Sequence, residues 1–367
     1  MVSKSLSMVQ VADRKFEPRE FPIPEIGADD GLLKVERGAI CGSDVELYYG
    51  HLGSSRYPLV PGHEPLGTIE KIGDKAAARW GVQVGDRVIL EAGVPCRSCA
   101  FCLKGQFNNC ANRRAIGYTR LDESMPLFGG FSQYLYLHPN TVMHKISKEV
   151  PLDVAALFNP MACGVGWAVH SAETKLDDTV VILGAGQRGL ASLIAAKTVG
   201  AGTTIITGLS RDRHKLEMAK RLGADHVIDV ETQDVRKQVR ELTGGALADI
   251  VLDVVPVSAE TIADAVDIVK PGGTIVLAGI KGDNQTLKTL SPDKIVGKSI
   301  TIIGANSKGS ASYRQAVRIL EAGKYPFQAM HTHCLPLERV ADAIELLAGN
   351  RPDIPGAPIC LSIAPEH

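Results

Sequence analysis

Between Ala39 and Leu66 the chain reads AICGSDVELYYGHLGSSRYPLVPGHEPL, which places Cys41 in a CGSD turn and His63-Glu64 in a PGHEP turn. A thiolate, an imidazole and a carboxylate in loops punctuated by Gly and Pro form a ligand set that zinc accepts. Zinc binds Cys sulfur, His nitrogen and carboxylate oxygen without a strong geometric preference of its own. A single Cys and a single His are also common interior residues, so this stretch alone leaves metal binding and plain burial both open.

A second cluster is more specific. Cys96, Cys99, Cys102 and Cys110 stand at C-x2-C-x2-C-x7-C, a spacing that can close a tetrahedral four-sulfur site within one small lobe, about 93–113. Such a site has no open coordination position and reads as structural zinc. An iron–sulfur cluster also takes four thiolates, but the seven-residue gap and the lack of a Pro after the fourth Cys fit it poorly. A lobe without metal is the remaining alternative.

The third chemical signal is TVVILGAGQRGLASLIAAKTVGAGTTIITGL from 179 to 209, which reads strand, glycine turn, helix, strand. Gly184, Gly186 and Gly189 form G-x-G-x-x-G directly after an apolar strand and before a helical run, the context in which the motif binds a dinucleotide. The first glycine allows the tight turn, the second lets the backbone approach a pyrophosphate, and the third lets helix and strand pack. The helix N-terminus faces the anion. A βα turn without a ligand is the bland alternative.

These groups need elements to position them. From Val9 to Ile40 short alternating runs with many breakers predict strands and turns, and extended runs follow at Gly67–Ile72, Arg87–Leu90 and Leu127–Leu137. Val150–Ala172 is Ala-rich with apolar residues at helical spacing, and its Cys163 taken alone reads as a buried core thiol. Strands predicted near 226–229, 248–255, 273–280 and 299–305, with helices near 234–242 and 258–269, make an α/β region with a doubly wound parallel sheet. After Ser310 two amphipathic helices lead to an extended tail, expected to return to the first domain.

A length of 367 residues suggests about two domains. Forty Lys+Arg against 41 Asp+Glu give a net charge of −1, so no electrostatic pull toward nucleic acid or membrane follows. No run of 18 apolar residues and no secretory signal is read. The expectation is a cytoplasmic protein in which eight cysteines are metal or redox ligands rather than a disulfide framework.

In chain order, Cys41-Gly-Ser-Asp44, Gly62-His-Glu64, Val84-Gly85-Asp86-Arg87-Val88, the four-thiol lobe, Gly129-Gly130-Phe131 and Gly184–Gly189 resemble the zinc-dependent medium-chain dehydrogenase/reductase family, the alcohol and polyol dehydrogenases. The resemblance covers nearly the whole chain. It implies a GroES-like β-rich catalytic domain in two segments, 1–155 and 310–367, and a Rossmann NAD(P)-binding domain at 156–309. It also implies two zinc ions per chain and hydride transfer between an alcohol or polyol, or its carbonyl, and a nicotinamide cofactor. The catalytic zinc would sit on Cys41, His63 and Cys163, with Glu64 beside it, Asp44 orienting His63, and one position open.

Polyol dehydrogenases of the family carry Glu immediately before the Pro that is Pro160 here; Asn159 stands in its place and moves the third ligand to Cys163. Ser43 resembles the hydroxyl that takes the substrate proton. The usual relay histidine is replaced by Glu46, which leaves Glu46, His51 or bulk water as the route. Tyr48, Tyr118 and Trp167 are candidate pocket walls, with plain packing the equal alternative for each. The strand SITIIGA resembles the edge by which family members pair, so a homodimer or homotetramer is expected. A zinc-free quinone or enone reductase and a non-catalytic nucleotide-binding sensor or scaffold are the competing functions.

The expected cofactor site comprises Gly184, Gly186, Gln187, Arg188 and Gly189, with Val254, Ala278, Gly279 and Ile280 at later strand ends. The acid that selects NAD should end the second Rossmann strand about twenty residues past the glycines, and that position falls on Gly208. Without a carboxylate there a 2′-phosphate is not repelled, and Ser210, Arg211 and Arg213 offer donors and charge. NADP(H) is favoured over NAD(H), with Asp212 as the opposing charge.

Overall fold

The computed structural model describes residues 3–52, 57–123, 126–282, 285–287, 289–306 and 309–366. The chain divides into two compact units, one of Met1–Asn159, Val317–Gly323 and Phe327–His367, the other of Pro160–Ala316 and Lys324–Pro326. The first cut falls inside the helix Phe158–Gly164, a little past the 155/156 boundary drawn from sequence, and the second falls inside the helix Ser310–Ala322.

The first unit is built on a seven-stranded sheet whose hub is Gly31–Ile40. That strand pairs antiparallel with Glu64–Ile72, with Tyr134–Leu137 and with the last strand of the chain, Cys360–Ala364. Leu32, Leu33, Val35, Ala39 and Ile40 are all buried, because both faces of the hub are covered, and strict polar–apolar alternation is therefore lost. Leu33 and Val35 pack with Ile69, Val88, Leu90 and Leu135, while Ile40 packs with Tyr48, Phe131 and Val340. The pairing of Leu361 with Ile40 builds the chain's tail into this sheet.

The second unit holds six parallel strands in the order His226–Asp229, Thr203–Gly208, Thr179–Leu183, Ala248–Asp253, Val269–Leu277, Thr301–Gly304. The order reverses between Thr179–Leu183 and Ala248–Asp253, which is the doubly wound arrangement that binds dinucleotides. Val269–Leu277 begins earlier than its apolar run suggests, because Val269 pairs with Ala248 before the register shifts around Pro271-Gly272-Gly273.

The Ala-rich stretch is not one regular helix. It runs as Leu152–Ala155, Phe158–Gly164 and a π-helical segment, Val165–Ser171. The run Leu152–Ser171 is also long and apolar enough to cross a bilayer by composition, which a search for 18 uninterrupted apolar residues passes over. With 83% of its most apolar window buried inside the protein, it serves as core.

Candidate metal centre and cofactor cradle

The register that sets Ala39 opposite Glu64 brings together the residues just beyond each strand end. One ligand atom each from Cys41, His63 and Glu64 lies within 4.8 Å of the others, and all three residues are buried. The main chain under His63 is pinned by the Gly129-Gly130-Phe131 segment, since Gly130 N–H donates to the Gly62 carbonyl at 2.7 Å and Phe131 N–H to that of Pro61 at 3.0 Å.

Cys41 precedes the short helix Gly42–Tyr48, and Asp44 in its first turn bonds in two directions. Its Oδ2 accepts the Cys41 backbone N–H at 2.9 Å, and its Oδ1 lies 3.2 Å from His63 Nδ1. One buried carboxylate thus orients two prospective ligands. With Nδ1–H donated to Asp44, the lone pair of Nε2 points to the side where Glu64 Oε1 stands at 3.4 Å. Burial is the largest influence on His63 and pulls its pKa down, but Tyr118 and Asp44 outweigh it and hold the ring well above its ordinary 6.5. Tyr118 is itself pushed up to about 12, first by burial, and is a neutral phenol near pH 7, so Asp44 is the charge that matters. Two carboxylates, a thiol and an imidazole buried together favour a cation among them, and the donor set suits zinc.

Ser43 Oγ is 3.3 Å from Cys41 Sγ and 3.4 Å from His63 Nε2. Glu46 and His51 bond to each other at 3.1 Å and not to Ser43, with the His51 side chain 64% exposed. Cys163 is buried in the Phe158–Gly164 part of the second unit. Of the three aromatics, Tyr118 stands at the centre, its hydroxyl 3.2 Å from His63 Nδ1 and its ring 5.1 Å from the imidazole. Tyr48 is core, stacked on Phe16, and Trp167 lies buried in the second unit beneath the Arg188 guanidinium. Asn159 has a part that sequence reasoning passed over: its amide donates to Glu64 Oε1. The only signal for it was its place before Pro160.

The sulfurs of Cys96, Cys99, Cys102 and Cys110 also lie within 4.8 Å of one another. Cys96 and Cys102 are 3.9 Å apart, and tetrahedral zinc bonds of about 2.3 Å require sulfur separations of about 3.8 Å. Cys96 is held down to about 5, first by the backbone N–H of Ser98, while Cys102 is pushed up to about 12, first by burial. Four thiolates this close ionise together only around a cation. All eight cysteines are free thiols.

In the second unit Gly184 adopts φ +106°, and a Cβ on Gly189 would lie 1.9 Å from the Gly184 carbonyl oxygen. A Cβ on Gly186, which precedes the helix Gln187–Thr198, would meet nothing within 4 Å. Turn and packing thus demand the first and third glycines, and the open face at the second suits an approaching pyrophosphate. Gly208 is buried under Leu216, where a Cβ would be 3.0 Å from Cδ2. Past it, Asp212 is paired with Lys215 at 2.7 Å, and Arg211 and Arg213 are exposed. Two acids that sequence reasoning did not single out enter this corner from the next strand: Ser210 Oγ donates to Asp229 and Ser210 N–H to Glu231, both at 2.7 Å. At the other strand ends, the N–H groups of Ala278 and Gly279 donate to the Asp253 carbonyl, Val254 N–H donates to that of Leu183, and Ile280 is exposed.

Residues 27–148 match the alcohol dehydrogenase GroES-like domain, and residues 189–322 match the zinc-binding dehydrogenase domain. A Mycobacterium tuberculosis protein named "Probable alcohol dehydrogenase" is 38% identical over 95% of this chain and 96% of its own length. The erythritol/L-threitol dehydrogenase of Mycolicibacterium smegmatis is 30% identical over 91% of this chain and 92% of its own. A Sinorhizobium meliloti protein described as a zinc-binding dehydrogenase and solved bound to NADP superposes with a TM-score of 0.86 at 26% identity, covering 99% of this chain and all of its own.

Proposed function

Since the chain belongs to the zinc-dependent medium-chain dehydrogenase/reductase family and is an oxidoreductase of the alcohol dehydrogenase type, we propose that it interconverts an alcohol or polyol and its carbonyl with NADP(H), using one catalytic and one structural zinc. The catalytic zinc is assigned to Cys41, His63 and Cys163 with Glu64 beside it, and the structural zinc to Cys96, Cys99, Cys102 and Cys110. The observation that carries the reading is the Asp44 carboxylate bonded to both the Cys41 N–H and His63 Nδ1. Such a partner fixes a ligand histidine's tautomer and ring orientation.

When bound, zinc supplies Lewis acidity to the substrate oxygen, and the nicotinamide supplies the hydride acceptor or donor. The chain's own residues do the rest. Asp44 keeps the proton on Nδ1 so that Nε2 can ligate, and the Asn159 amide holds the Glu64 carboxylate in place. The Ser43 hydroxyl, between Cys41 and His63, takes the alcohol proton, which leaves through Glu46, His51 or bulk water. The protein is assigned to the cytoplasm, as a homodimer or homotetramer.

NADP(H) is supported by the absence of a carboxylate at Gly208, the neutralised Asp212, and the exposed Arg211 and Arg213. Asp229 and Glu231 on Ser210 favour the second reading, NAD(H), because they bring negative charge to the corner where a 2′-phosphate would lie. One experiment tests the whole assignment: metal analysis, then kcat/KM for a panel of alcohols, polyols and aldehydes with both cofactors. Two zincs per chain and a clear NADP(H) preference are expected. A clear NAD(H) preference would reverse the cofactor choice, and one zinc without turnover would favour a scaffold role.

A further inference from the structure

The reaction outlined above gives no part to a buried charge pair at the end of one parallel strand. Asp253 ends the strand Ala248–Asp253 with no exposure at all, and Lys281, its side chain 12% exposed, pairs with it at 2.9 Å. The same ammonium donates to Thr261 Oγ1 at 3.0 Å and to the Val255 carbonyl at 2.5 Å. Thr261 Oγ1 donates to Asp253 Oδ2 at 2.8 Å, and Val255 N–H to Oδ1 at 3.1 Å. Burying two charges is costly, and only such complete hydrogen bonding offsets it.

Its place in the sheet points to its use. Ala248–Asp253 lies beside Thr179–Leu183 where the strand order reverses, and dinucleotides lie across that crevice at the carboxyl ends. The ribose-selecting position ends Thr203–Gly208, so the adenosine half lies over that side of the sheet. The nicotinamide half falls over the ends of Ala248–Asp253 and Val269–Leu277. The loops leaving those two strands are joined there: Val257 N–H donates to the Ile280 carbonyl at 3.0 Å, and a Cβ on Gly279 would lie 2.1 Å from the Val255 carbonyl oxygen. Between them Val257 holds φ +69°, which a β-branched residue keeps only where its surroundings over-determine it. Val257 and Ile280 are nonetheless 56% and 65% exposed, so two aliphatic side chains face outward from the clamped loops.

We propose that Lys281, with Asp253 and Thr261, is a positioning latch that sets the loops 254–258 and 278–281 to receive the nicotinamide half of the cofactor. The proposal rests on the nicotinamide-dependent reading above. The test measures binding to the full-length protein, using the fluorescence of NADPH and NADH for the whole cofactor. ADP-ribose and its 2′-phosphate, which lack the nicotinamide, report on the adenosine half by calorimetry. Lys281→Met is expected to raise the Kd of the reduced cofactor roughly tenfold, about one charged hydrogen bond's worth, and to leave that of the ADP-ribose ligand within about twofold. Thr261→Val, which keeps the ion pair, should show a smaller shift with the same split. Equal weakening of both ligands, or no weakening of either, overturns the latch. If Lys281→Met does not fold, Thr261→Val decides by the same split. Wild-type protein that binds neither reduced cofactor would remove the functional reading and the latch together, whereas wild-type binding without the split removes the latch alone.

Discussion

Asp44 holds Cys41 and His63 at once, so its charge should matter to the metal more than to the fold. Asp44→Asn keeps the volume and one acceptor oxygen but loses the charge that favours the Nδ1-protonated ring. It is expected to weaken zinc at that site by about 10–100-fold, read as zinc content after competition with a chelator, with the four-thiol zinc unchanged. Retention equal to wild type would mean that the two ligands are set without it. Ser43→Ala makes the complementary test: both zincs should remain while kcat falls roughly 100-fold, and turnover unchanged at every pH would take the hydroxyl out of the proton path. The four thiols could be read from spacing because all fall between Cys96 and Cys110, so a local turn is enough to gather them. The two-way bonding of Asp44, the Asn159 amide on Glu64 and the Tyr118 ring beside His63 could not, since each depends on how distant segments pair and pack.

The helix Gly42–Tyr48, which carries Ser43 and Asp44, is only two turns long and needs tertiary support. Its far end is held by a polar knot. Tyr49 hydroxyl donates to Glu345 at 2.5 Å, Asn350 donates to Tyr49 at 2.7 Å, and Arg14 reaches Glu345 at 3.3 Å. Burial is the largest influence on Glu345 and raises its pKa, but these three partners together hold it below its ordinary 4.5. A carboxylate depressed in the folded state stabilises above its unfolded pKa, and that contribution fades as pH falls through the folded one. The Tm advantage of wild type over Glu345→Gln should therefore be full above about pH 5 and shrink on acidification below about pH 4.5. A Tm difference independent of pH would show that the ionised carboxylate adds nothing. Strand positions in the second unit were legible because parallel strands buried on both faces read as apolar runs. The early start of Val269–Leu277 and the π-helical Val165–Ser171 were not, because register shifts and helix irregularities answer to packing rather than to periodicity.

At the scale of the molecule, the order of the units follows from the alternation of apolar runs and breakers, and what alternation leaves open is where the six-stranded sheet stops. It ends at Thr301–Gly304, a strand paired on one side only among the described residues. Isolated edges are normally guarded by charge, proline or a bulge. Thr301-Ile302-Ile303-Gly304 has none of these, Ile302 is exposed, and Val296 on the preceding helix Pro292–Lys298 is 77% exposed. A bare apolar edge of this kind calls for a cover, and a second copy related by a two-fold axis supplies one by pairing the same strand with itself. Light scattering of the wild-type protein should then give a mass at least twice the 39.1 kDa of one chain. Ile302→Lys places like charges from both copies in that contact, so it should shift the mass toward one chain while the zinc content stays that of wild type. Wild type that scatters as a single chain at micromolar concentration would mean that the edge is tolerated bare. An Ile302→Lys variant that keeps the wild-type mass would move the assembly contact elsewhere on the surface.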